Sequence, residues 1–331
     1  VVASCGFVLY IARIPHYHVA KAHPIATRAM MEDVMVDNTL RQLGPYRLIE
    51  RIGHGGMCEV YLAEVYGASG FSKRVAIKVL LPEYRGEAIH ERSMIKEATL
   101  GAGLQHRNLV QVHDFGVDRG LHYMRIDYVE GRDLRALRGN ETIDEPLAIL
   151  IAAEIATALH YLHTHADTQG RPLGLVHRDV TPSNILLSVD GEVKLADFGV
   201  MKATHLATDT RGNIRKGKYA YMSPEQVRNQ NITAASDQFG LGIVLMEMLC
   251  GRRPYDGAHA METMEQIEAT APPDLDGLSD DLREIIATCL APLPRERFED
   301  TATLCERLLE ASRSRALASP SKLSAWVKDR K

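Results

Sequence analysis

The stretch from Leu175 to Gly199, LVHRDVTPSNILLSVDGEVKLADFG, decides the fold. It holds an HRD triplet (His177, Arg178, Asp179), an asparagine five residues after that aspartate (Asn184), and a DFG triplet (Asp197, Phe198, Gly199). Ile185 to Val189 and Glu192 to Ala196 are apolar-rich runs of strand length. Asp190-Gly191 between them is the dipeptide that a tight two-residue turn prefers, because both central residues need positive φ. Such a hairpin brings its open ends, Asn184 and Asp197, together. Their two oxygen ligands, beside a third carboxylate on Asp179, suit a hard divalent ion such as Mg²⁺. That ion takes few protein ligands and shares the rest of its shell with phosphates.

The bulk properties bound what surrounds this stretch. A chain of 331 residues is long enough for one large domain or two modest ones with a substantial core. A net charge of -4 leaves no electrostatic footprint for nucleic acid. None of the five cysteines forms a CxxC pair, so neither a zinc site nor a disulfide framework is indicated, and a reducing, cytoplasmic compartment is expected.

Upstream, from Tyr46, the pattern is short strands: YRLIERI, CEVYLAEV and KRVAIKVLL, separated by glycine-bearing turns. Gly53-His54-Gly55-Gly56-Met57-Cys58 lies at the first turn, where glycines let backbone N–H groups approach an anion closely. Val75-Ala76-Ile77-Lys78 follows, and Glu87 to Leu104 reads as a helix. Downstream of Gly131 the period becomes 3.6. Leu147, Leu150, Ile151, Ile155, Leu159 and Leu162 form one apolar stripe with Pro146 in its first turn. His160, His163 and His165 close that helix and are expected to be solvated. Asp237 to Cys250 is almost wholly apolar after its first residues and should be a buried helix. Ala311 to Lys331, Ser- and Ala-rich, reads as a flexible tail. Val1 to Ala12 is uncharged and too short to span a membrane. With no initial Met and with Met30, Met31 and Met35 downstream, residues 1–45 are expected to be a disordered extension or in part a start-site artefact.

Together these motifs resemble the catalytic core of a protein kinase, and GHGGM, HRDVTPSN and YMSPEQ resemble the eukaryotic-like (Hanks-type) serine/threonine kinases of bacteria. The resemblance implies an α+β, bilobal fold, with a small antiparallel-sheet lobe (46–126), a hinge (127–131) and a larger, mainly helical lobe (132–310). It implies ATP and Mg²⁺ as cofactors and the Ser/Thr hydroxyls of proteins as acceptors. Self-association for phosphorylation in trans is a further expectation; a nucleotide-binding pseudokinase or scaffold is the alternative. The implied nucleotide site consists of Ile52, Gly53, His54, Gly55, Gly56, Val60, Ala76, Lys78, Asp127, Val129 and Leu186, with Ile126 as gatekeeper. Lys78 reaches the α and β phosphates and pairs with Glu97. Asp179 orients the acceptor hydroxyl and takes its proton, and Asn184 and Asp197 hold the metal. Thr208 and Thr210 are the implied activation-segment phosphosites, read by Arg178. Asp237 anchors the catalytic loop from below, and Arg297 pairs with Glu225.

The chain departs from the family pattern at three places. Cys58 replaces the third glycine, which puts a thiol near the phosphates. Gly101 stands where a bulky apolar residue follows Glu97 by one turn, so a marginal active state is expected, and Gly101→Leu should raise basal activity. Thr181 stands where Ser/Thr kinases carry Lys, and Lys218 where they carry Thr. Those two positions touch in the family, so the site keeps one ammonium and one hydroxyl.

Overall fold

The computed structural model describes residues 42–197, 219–271, 273–316 and 318–331. Thr208, Thr210 and Lys218, with Phe198 and Gly199, lie outside the described residues.

The strand-rich half forms a six-stranded antiparallel sheet. Its strands are β1 (Gln42–Leu43), β2 (Tyr46–His54), β3 (Cys58–Tyr66), β4 (Ser72–Leu80), β5 (Val112–Asp118) and β6 (Leu121–Ile126), in the order β1-β2-β3-β4-β6-β5. The sheet therefore begins four residues before Tyr46, the expected start. The β-branched Val75, Ile77 and Val79 suit a central strand, and β4 is buried from Val75 to Leu80. The helix expected over 87–104 is α1 (Ala88–Ala102), whose Met94 and Ala98 close over Cys58, Leu80, Val112 and Met124.

After the hinge, β7 (Gly131–Asp133) leads into α2 (Leu134–Arg138) and then α3 (Glu145–Thr164). The apolar stripe expected on α3 is in fact most of its circumference: Ala148, Ile149, Ala152, Ala153, Ala156 and Ala158 are buried alongside it, while Leu150 is only half-buried. Alanine contributes little to a hydrophobic stripe but lets neighbouring helices pack closely. This helix is long and apolar enough to cross a membrane, yet most of it is buried inside the lobe.

The deciding stretch forms a hairpin of β8 (Ile185–Ser188) and β9 (Val193–Leu195), which β7 extends to three strands. Its turn corrects the two-residue expectation. Gly191 N–H donates to Ser188 O at 3.0 Å and Ser188 N–H to Glu192 O at 3.0 Å, a three-residue loop. Gly191 has φ 83°, whereas Asp190 is not among the positive-φ residues. A left-handed glycine closing the loop supplies the twist that two positive-φ residues would otherwise provide.

The remaining helices are α4 (Pro224–Val227), α5 (Ala234–Cys250), α6 (Ala260–Ala269), α7 (Asp280–Cys289), α8 (Thr301–Arg313) and α9 (Pro320–Arg330). α5 ends at Gly251 with φ 71°, a left-handed cap. α9 overturns the flexible-tail expectation: Leu323 and Val327 are fully buried in the same cluster as α3 and α5. Four residues apart, they form one apolar helical face that two isolated side chains in a Ser/Lys context did not advertise.

Candidate active site

Antiparallel register places side chains of opposed residues on one face of the sheet. Val60 opposes Lys78, Ala76 opposes Ile126, and Lys78 opposes Met124, so Val60, Ala76, Lys78 and Ile126 share a face. Gly53 opposes Val60, and Gly55 N–H donates to Cys58 O at 2.8 Å, which shapes the glycine turn. Ile52 and His54, both largely exposed, flank it.

Lys78 is buried and donates to Glu97 Oε1 and to Asp197 Oδ1, each at 2.7 Å. Burial alone would lower its ammonium, but the carboxylates of Asp197 and Glu97 hold it well above the ordinary lysine value. One fixed cation thus joins β4, α1 and the end of the β8–β9 hairpin. Glu97 belongs to the buried face of α1.

The catalytic-loop residues are held by their backbone. Asp237, 1% exposed at the start of α5, accepts the N–H of His177 on Oδ2 (2.8 Å) and that of Arg178 on Oδ1 (2.7 Å). Gln226 Nε2 donates to Arg178 O at 3.0 Å, and Gln226 is itself fixed by a capping box with Ser223. These clamps keep Arg178 at φ 67°, and Asp197 sits at φ 59°. A left-handed non-glycine residue costs on the order of 1 kcal/mol or more, and such strain collects where geometry is fixed for function. His177 Nε2 donates to Ala196 O at 3.1 Å while its Nδ1 accepts from Asp179 N–H at 3.3 Å, tying the two loops through one ring.

At the hairpin's open end, Ala196 N–H donates to Asn184 O at 2.8 Å, so the strand ends meet. Asn184 Nδ2 donates to Asp179 O at 2.8 Å and to Asp179 Oδ2 at 2.6 Å. With its nitrogen committed, the Asn184 amide offers an oxygen, and Asp197 offers a half-exposed carboxylate. This all-oxygen donor set fits a small hard cation. Thr181 is buried, and its carbonyl accepts from Asn184 N–H at 3.0 Å.

On the hinge, Asp127 N–H donates to Gln111 O at 3.0 Å and the Asp127 carboxylate pairs with His113 Nε2 at 2.6 Å. Beyond it, Gly131 passes so close to β8 that a Cβ would lie 1.9 Å from Leu187 O. Asp133 opposes Leu186 there.

Two sequence expectations need correction here. Cys58 lies on the Lys78 face, but it is 5% exposed and enclosed by Leu80, Met94 and Ala98, so it is a core thiol and not an open one. His163 is not solvated: its ring pairs with Asp237 Oδ2 and with the Thr301 hydroxyl, each at 2.8 Å. It therefore supports the residue that supports the catalytic loop. No local pattern separates it from His160 and His165, so only the fold identifies it. Glu225 and Arg297 form a two-pronged pair at 2.7 and 2.9 Å, with Ser236 donating to Glu225 Oε1 at 2.6 Å.

The family described as protein kinase domain matches residues 46–309. The chain is 34% identical over 278 residues to the tyrosine-protein kinase MasK of Myxococcus xanthus, covering 81% of this chain and 43% of that protein. It is 35% identical over 231 residues to the serine/threonine-protein kinase PrkC of Bacillus subtilis (69% and 34%). It is 32% identical over 276 residues to the serine/threonine-protein kinase PknD of Mycobacterium tuberculosis (80% and 39%). The chain thus spans less than half the length of each of these relatives.

Proposed function

The chain belongs to the protein kinase family, and from that premise we propose that it transfers the γ-phosphoryl group of ATP to hydroxyl groups of protein substrates. The observation that carries this reading is the junction at Lys78, where a buried ammonium meets both Glu97 and Asp197 at 2.7 Å. Such a cation is already placed for phosphate oxygens, so little reorganisation is needed when charge shifts during transfer. Asp179, braced by the Asn184 amide, orients the attacking hydroxyl and takes up its proton. Asn184 and Asp197 would hold Mg²⁺, which when bound neutralises charge on the phosphates. The shared face of Val60 and Ala76, with Leu186 opposite and the hinge backbone of Asp127 and Val129 at its edge, receives the adenine. Positioning and charge complementarity supply most of what this reaction needs.

For the acceptor, Ser/Thr is the reading supported by the names of PrkC and PknD. Tyrosine is the second reading, favoured by Thr181 in place of the lysine that marks Ser/Thr kinases and by the name of MasK. Lys218 supplies the missing charge near the γ-phosphate, and phosphorylation of Thr208 or Thr210, in trans within a transient pair and read by Arg178, switches the enzyme on. A reducing cytoplasmic setting is supported by the free thiols of Cys58, Cys250, Cys289 and Cys305.

The test is incubation with γ-labelled ATP, Mg²⁺ and a generic basic protein, followed by phosphoamino-acid analysis. Wild type labels itself and the acceptor, and Asp197→Asn labels neither. Equal labelling by Asp197→Asn would remove the reading. In the same assay Lys218→Ala lowers turnover by about 10-fold or more, equivalent to ~1.4 kcal/mol of barrier. Near-normal turnover would make the Thr181/Lys218 exchange cosmetic.

A further inference from the structure

Beyond the family-matched residues the chain folds back onto its own hinge. The buried side chains of α9, Leu323 and Val327, join the large-lobe core, and Trp326 packs beside them. What this helix covers is the junction of the hinge with the β8–β9 hairpin. Val189, just past β8, donates its N–H to Glu130 O at 2.8 Å and so ties the hinge to the hairpin. α9 holds both members of that rung. Ser324 Oγ donates to Val189 O at 2.5 Å, and Lys331 Nζ reaches the Glu130 carboxylate at 3.4 Å. At the helix start, Pro320 presses on the turn so closely that a Cβ on Gly191 would lie 2.0 Å from the Pro320 carbonyl oxygen. The rungs that continue from it along β7 and β8 pair Gly131 with Ser188 and Asp133 with Leu186, the last being a residue of the nucleotide site proposed above.

Charge steers the same contact. Basic groups of the tail meet an acidic rim: Arg315 with Glu145 (2.6 Å) and Asp281 (2.7 Å), Lys322 with Asp144 (2.5 Å), and Arg330 with Glu141 (3.2 Å). Exposed pairs such as Lys322–Asp144 and Arg330–Glu141 are individually weak, so the buried face of α9 holds the helix and the charges set where it lands.

We propose that α9 is a positioning element for the nucleotide: docked, it fixes the hinge–hairpin junction in the geometry that receives adenine. The proposal rests on the kinase reading above. Coupling between two sites is reciprocal, so if docking of α9 tightens nucleotide binding, nucleotide must tighten docking by the same factor. A helix that merely completes the core would show no such dependence.

Trp326 is the chain's only tryptophan, and the Arg330 guanidinium lies 4.7 Å from its ring centroid, so its emission reports on α9 alone. Acrylamide quenching of Trp326 is measured in the wild-type protein during titration with ADP and Mg²⁺, with calorimetry in parallel. Quenching is expected to fall as the site fills, with a midpoint at the calorimetric Kd. A Leu323→Ser/Val327→Ser variant, checked for folding by circular dichroism, is expected to raise the nucleotide Kd and the ATP KM about fivefold or more, with kcat at saturating ATP within about twofold. Ser324→Ala and Lys331→Glu leave the core intact and should shift Kd in the same direction. A tryptophan that does not respond while calorimetry shows saturation would overturn the proposal, as would an unchanged Kd in all three variants. Absence of nucleotide heat in the wild type is a different result: it removes the kinase reading, and the proposal with it.

Discussion

Cys58 shows how far a single residue can be read from its neighbours in sequence. Its place in the glycine turn put a thiol near the expected phosphates, and strand pairing with Leu80 turns that thiol under α1. Burial pushes its thiol up to about 12, and the nearby Lys78 ammonium only partly offsets this. At pH 8 that leaves roughly 10⁻⁴ of it as thiolate, and the thiolate is the reactive form. Iodoacetamide at pH 8 should therefore modify Cys58 in denaturant and spare it in the folded protein, as peptide mapping would show. Peroxide should inactivate wild type and Cys58→Ser at the same rate. Protection of activity in Cys58→Ser would mean that the turn opens enough to expose the thiol. Asp237 and His163 make the complementary point. Composition by itself gave the buried helix that the aspartate begins, whereas the role of the aspartate was legible only through the family resemblance. The histidine was not, because its partners are 74 and 138 residues away in the chain.

Elements were legible where periodicity and turn chemistry agreed, and misread where tertiary contact took over. The hairpin, α1 and α5 fall where their apolar pattern and flanking glycines placed them, within a few residues. The three-residue turn at Val189 to Gly191 differs from the two-residue expectation, and it is contacted by Pro320 and Ser324, more than 120 residues away in sequence. α3 reads as one stripe because alanines register weakly in a hydrophobic pattern, although a lobe built around it buries them all the same. α1 carries a conflict of its own. Gly101 is buried one turn after Glu97, and its carbonyl accepts from Gln111 Nε2 at 3.3 Å. Glycine inside a helix costs ~1 kcal/mol relative to alanine. Removing that cost would favour the helical α1 that carries Glu97 to Lys78. Gly101→Ala should raise the melting temperature and increase the initial rate of unphosphorylated protein by up to about fivefold, the factor that ~1 kcal/mol permits. A higher melting temperature with an unchanged or lower rate would show that the Lys78–Glu97 state is not limiting.

At the scale of the molecule, the functional side chains sit between cores of very different size. Among the described residues the small lobe buries the cluster of Cys58, Leu80, Met94, Ala98, Val112 and Met124 and, elsewhere in its sheet, Leu43, Tyr46, Leu62, Ala63, Val75, Ile77 and Val79, whereas α3, α5, α7, α8 and α9 contribute to one larger cluster. Lys78 and Glu97 come from the first side, and Asp179, Asn184 and Asp197 from the second, so the site exists only while both lobes are folded. Opening free energies follow buried apolar contact, and a lobe with less of it should open first. Native-state hydrogen exchange should then resolve two plateaus, with amides of β2, β3 and β4 opening at lower free energy than those of α3 and α5. Nucleotide at 100 times its Kd should raise both plateaus equally, by about 2.7 kcal/mol, because either opening destroys the site. A single shared plateau would mean that the ion pair and the β8–β9 hairpin weld the lobes into one cooperative unit. Two plateaus of which only the lower moves would place the whole nucleotide site on the small lobe, contrary to the division of residues seen here.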